Sequence, residues 1–78
     1  MGTATIIINV SGVTVACLDW NVEDIRTEFN GAQTIYNDLG EEITIPVDAA
    51  KDIIPGDNSE ECTKYSFGEV EIYVEFLN

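Results

Sequence analysis

Residues 68–76 alternate apolar and polar side chains with a period of two, and that period admits a β-strand and little else. Successive side chains on a strand point to opposite faces, which puts Val70, Ile72, Val74 and Phe76 on one side and Glu69, Glu71, Tyr73 and Glu75 on the other. The first set predicts a core face and the second a face turned to water. Glutamates two positions apart lie about 7 Å from each other along such a strand.

The N-terminal twenty residues read as a β-hairpin: residues 3–10 and 13–19 are rich in β-branched side chains, and Ser11-Gly12 between them is a turn signal. A two-residue loop there would set Val10 against Val13, Ile8 against Val15 and Ile6 against Cys17 on the core side. Thr5, Ile7, Asn9, Thr14, Ala16, Leu18 and Trp20 would share the opposite side.

Asn21 is a suitable helix N-cap, followed by acids at Glu23 and Asp24. Val22, Ile25 and Phe29 then recur at i, i+3 and i+7, which predicts a short helix over 22–29, closed by Asn30-Gly31. Residues 33–37 and 41–45 form a second hairpin around Asp38-Leu39-Gly40, and Pro46, with no N–H to donate, ends it. Asp48 is placed to cap a single helical turn running to Ile54, before Pro55-Gly56. Residues 62–67 are a further β segment, with Gly68 either bending one long strand or turning between two.

The expected fold is therefore α+β. A small antiparallel sheet built from hairpins carries one short helix on a face and a second helical turn, all in a single domain spanning 1–78. Its expected core is Ile6, Ile8, Val13, Val15, Ile25, Phe29, Ile43, Ile45, Val70, Ile72, Val74 and Phe76.

Charge bounds the function. Fifteen Asp and Glu against Arg26, Lys51 and Lys64 leave a net charge of −12, while 45% hydrophobic residues argue for a folded chain. Such a field repels nucleic acid and anionic membrane and speeds encounter with basic proteins. The start of the chain lacks a basic region and no stretch is long and apolar enough to span a bilayer, so the expected location is the cytoplasm of a host cell. Cys17 and Cys62 show no metal-ligand spacing and are expected as reduced, buried thiols.

The chain contains no histidine, which removes the commonest general base, the Ser-His and Cys-His nucleophile pairs and imidazole metal ligation together. Asp57, Asn58, Glu60 and Glu61 offer oxygen ligands, but without the alternating spacing and internal glycine of an EF-hand loop. No catalytic residue, metal or cofactor is expected.

What remains is carboxylate. Glu69, Glu71 and Glu75, with Tyr73 between them, are the first candidate partner-binding residues, joined by Asp57, Glu60 and Glu61 and by Glu41 and Glu42. Carboxylates held at intervals of several ångströms can imitate the phosphates of a nucleic-acid strand and occupy a groove built from Arg and Lys. Alternating glutamates also deter aggregation of an exposed strand, so solubility alone is the competing explanation.

In its size, its compact domain and its acidic rows at Glu69, Glu71 and Glu75 and at Asp57, Glu60 and Glu61, the chain resembles the small phage proteins that block host defences, anti-CRISPR proteins among them. That set has no common fold or signature, so the resemblance implies a partner class and assigns no residue. The expectation is a non-enzymatic inhibitor that covers the nucleic-acid-binding face of a larger basic protein. The alternative is an assembly module that pairs through edge strands with itself or with another protein, its acids serving solubility.

Overall fold

The computed structural model describes residues 2–77 and contains seven strands and, among those residues, no helix. They are β1 (Gly2–Val10), β2 (Val13–Thr27), β3 (Gln33–Asn37), β4 (Glu42–Ile45), β5 (Ala50–Ile54), β6 (Cys62–Phe67) and β7 (Val70–Phe76). All belong to one sheet in the order β4-β3-β2-β1-β7-β6-β5. The α+β expectation is overturned: the fold is all-β.

The first hairpin forms where the sequence places it, with Val10 paired to Val13. Ser11 and Gly12 both take positive φ (51° and 79°), as a tight type I′ turn requires. Beyond the turn the register departs from expectation. Ile8 pairs with Ala16 and Ile6 with Leu18, because the register shifts at Ile8/Asn9 and leaves Val15 as an extra residue on β2. One inserted residue exchanges the faces of everything after it. Leu18 and Trp20 turn inward, and Cys17 is exposed instead of buried.

The helix expected over 22–29 is absent because β2 continues through it to Thr27. A second register shift, between Val22 and Asp24, lets Val22 and Ile25 reach the same core three positions apart. That step of three is the one the helical reading rests on. Two turns of helix are marginal in water, whereas as a strand this segment gains a ladder with β3, from Asp24 opposite Tyr36 to Thr27 opposite Gln33. Phe29 lies past the strand end in a turn where Glu28 N–H donates to the Ala32 carbonyl at 2.6 Å. Its side chain is fully exposed. Phe29→Ser should therefore change stability by no more than about 0.5 kcal/mol in a urea melt, whereas a core phenylalanine would cost several times that.

Every neighbouring pair of strands is antiparallel. Direction therefore alternates along the sheet, and its two outer members, β4 and β5, run the same way. Parallel strands side by side need a crossover of about a dozen residues, and only residues 46–49 separate these two. The link carries the chain forward from one edge of the sheet to the other, which requires the sheet to curl until its edges approach. Across that closing side the Tyr65 hydroxyl of β6 donates to Gln33 Oε1 of β3 at 3.4 Å. The expected helical turn over 48–54 is replaced by a turn and then β5, which pairs with β6 from Ala50/Ser66 to Ile54/Cys62. Gly68, at φ 55°, sits in the two-residue turn between Phe67 and Val70.

The concave face holds the core: Ala4, Ile6, Trp20, Val22, Ile35, Ile45, Tyr65, Ile72 and Val74. Ile8, Ile25, Ile43, Val70 and Phe76 pack against it. Val13, Val15 and Phe29 do not belong to it, since all three are exposed.

Candidate functional site

The acidic side of β7 is the natural starting point, and its three glutamates have three different environments. Glu69 lies in the β6–β7 turn, where its carbonyl accepts from Ser11 N–H at 2.8 Å and its carboxylate from the Ser11 hydroxyl at 2.7 Å. Glu71 is held by Lys64, 2.9 Å away on β6. The Lys64 ammonium also stands 5.7 Å from the centre of the Tyr73 ring, and its bond to Glu71 raises its pKa above the ordinary lysine value. Glu75 is buried, at 7% exposure.

Among the described residues no cation pairs with Glu75, which is bound by neutral donors. The Ser59 hydroxyl (2.7 Å) and the Asn58 N–H (2.8 Å) donate to one carboxylate oxygen, and the Asp57 N–H (3.2 Å) to the other. The Ser59 and backbone hydrogen bonds, outweighing desolvation, hold its carboxyl below the usual glutamate range. The segment after β5 is thereby strapped over the outer face of the sheet. Gly56 permits the close approach, because a Cβ there would overlap Glu75 Oε2. Glu75 is a structural anchor, and the expectation that it faces water is corrected.

The other candidates divide between two places. Asp57, Glu60 and Glu61 are exposed on that strap, next to the end of β7. Glu41 and Glu42 belong to the β3–β4 half, with β2 and β1 between them and β7. Asn37 Nδ2 donates to Glu41 at 2.9 Å, and Glu42 lies opposite Tyr36. Arg26 stacks over the Tyr36 ring at 5.0 Å and pairs with Asp24 at 2.8 Å. The carboxylates thus do not form one row along β7: Asp57, Glu60 and Glu61 gather near its C-terminal end, Glu69 sits in the turn at its start, and Glu41 and Glu42 lie on the far half.

Two features have no counterpart in the sequence reading. The first is a groove of about 320 Å³ between the strap and the outer face of the sheet. Thr5, Ile7 and Tyr73 line its floor, Ile54 and Pro55 its wall, with Asp57 and Glu75 at one end. Burial, Glu75 and Asp57 together push the Cys62 thiol in its lining above its ordinary pKa. Nothing in the sequence sets Thr5 and Ile7 apart from other hairpin residues, and only pairing across β1 and β7 brings Ile7 opposite Tyr73. The second feature is an open edge: β3 begins pairing with β2 only at Val22, so residues 13–20 of β2 have a neighbour on the β1 side alone. Val13, Val15 and Cys17 are exposed along it.

No group of three or more His, Cys, Asp or Glu among the described residues could hold a metal ion. No helix among them is long and apolar enough to cross a membrane. Compared with known proteins, the chain matches no family model, no curated protein and no solved structure.

Proposed function

We propose that the protein is a non-enzymatic inhibitor. Its acidic surface binds the basic, nucleic-acid-binding face of a larger protein in the host cytoplasm and excludes the nucleic acid, in the manner of the anti-CRISPR and other mimics it resembles. The observation that carries this is the use of its cations. Arg26 and Lys64 are consumed in ion pairs with Asp24 and Glu71, leaving exposed Lys51 as the one other base against a net charge of −12. The remaining carboxylates have almost no internal compensation, and an Arg- and Lys-lined groove would supply it. The contact assigned to this surface is the strap, with Asp57, Glu60 and Glu61 exposed on it; Glu69 stands apart, in the turn at the other end of β7. Glu71 is paired with Lys64, and Glu75 holds the strap in place.

Displacement of nucleic acid from a basic binding partner should weaken by about tenfold or more between low and physiological salt. The triple change Asp57→Asn, Glu60→Gln, Glu61→Gln should weaken it comparably at low salt. Potency indifferent to both would sink the mimic mechanism. A second reading is favoured by the open edge of β2, whose unpaired backbone and exposed valines suit addition of another strand. Light scattering on the purified protein separates the two: a stable oligomer lost on Val15→Lys supports edge assembly, and a monomer supports the inhibitor.

A further inference from the structure

We propose that the groove beneath the strap is a receptor for a single Arg or Lys side chain, presented by the partner protein. The inference rests on the inhibitor reading for the source of that side chain, but its physical basis is the groove itself. Ile7, Ile54, Pro55 and the Tyr73 ring offer an apolar channel for an aliphatic stem. The same ring can face a guanidinium or ammonium. Asp57 and Glu75 line one end of the channel, and Glu75 is bound by neutral donors, with no ion pair to a cation among the described residues. Thr5, Asn9 and Thr14 add oxygen acceptors along one side.

No basic side chain lines the groove. Lys64, the cation nearest the Tyr73 ring, is committed to Glu71. An anion would meet two carboxylates with no compensating charge. A metal ion finds no group of three acidic or sulfur ligands among the described residues. A cationic head on a long apolar stem satisfies the wall and the end together, which neither an inorganic cation nor a neutral polyol does.

The test needs no partner. The ¹⁵N-labelled protein is titrated with N-acetyl-arginine N-methylamide, with the lysine equivalent and with the neutral citrulline equivalent, following amide shifts. Arginine and lysine should produce saturable shifts confined to residues 5–9, 54–58 and 73–75, and citrulline none. Asp57→Asn should weaken binding about tenfold; its backbone N–H to Glu75 remains, so the strap is retained. Glu23→Gln, on the far part of β2, should leave binding unchanged. Shifts that spread over all the acidic residues without saturating, or equal binding of citrulline, would overturn the assignment. Failure here would leave salt-dependent displacement of nucleic acid intact, whereas failure of that displacement with a saturable arginine site would remove the inhibitor reading alone.

Discussion

Ile6→Ala should cost about 3–4 kcal/mol of stability, and in a domain of this size that is most of what is available. Ile6 and Ile35 are the largest fully buried side chains, at 0% and 1% exposure. Ile6 lies at the centre of the sheet, paired with Leu18 of β2 on one side and Val74 of β7 on the other. Truncating it removes apolar burial and leaves a cavity that the curled sheet cannot collapse without breaking two ladders. Val13→Ala, at an exposed site of equal β-propensity in the sequence, should cost no more than about 0.5 kcal/mol. Urea melts of the two variants provide the check. Similar values for both would mean that the sheet does not curl around Ile6.

Glu75→Gln should lower the melting midpoint by roughly 5–10 °C at neutral pH. Gln keeps the size of the side chain but turns one acceptor oxygen into a donor, facing either the Asp57 N–H or the Asn58 N–H and Ser59 hydroxyl, and removes the charge. The pH dependence identifies the mechanism. A carboxyl held below its unfolded value contributes stability that is fully present above about pH 4.3, the usual glutamate value. That contribution is lost as pH falls through the lowered folded value. The difference between native protein and variant should therefore be constant from pH 7 to about 5 and shrink at lower pH. Relief of general charge repulsion on acidification acts on both proteins and cancels in the comparison. A difference that grows towards acid would exclude an ionised Glu75 as the anchor. Gly56→Ala should loosen the same strap with no change of charge, because its Cβ would sit 2.6 Å from Ser59 Oγ as well as against Glu75.

These two effects mark where residue patterns inform and where they mislead. The strands at residues 70–76 and 62–67, the turns at Ser11-Gly12 and Asp38-Leu39-Gly40, and the end of β4 before Pro46 were legible, because alternation and turn chemistry act over a few residues. The β2 segment was not. Its inserted residues at Val15 and beyond Val22 change parity, and a strand with such an insertion spaces its apolar residues by three, as a helix does. Only the ladder with β3 distinguishes them. The candidate site was legible as composition and not as geometry. Glu69, Glu71 and Glu75 repeat on one strand face, yet one rests in a turn, one is held by Lys64 and one is buried.

The sequence by itself determined the turns at Ser11-Gly12 and Asp38-Leu39-Gly40, the alternation of the last strand, the net charge of −12 and the absence of histidine. Those properties depend on residue identity and near neighbours. Tertiary structure alone decided that the sheet curls on itself, that β2 contributes Trp20 to the core, and that a strap held by Glu75 covers a groove with carboxylates at one end. Each of these depends on residues brought together from distant parts of the chain, where pairing and burial outweigh local preference.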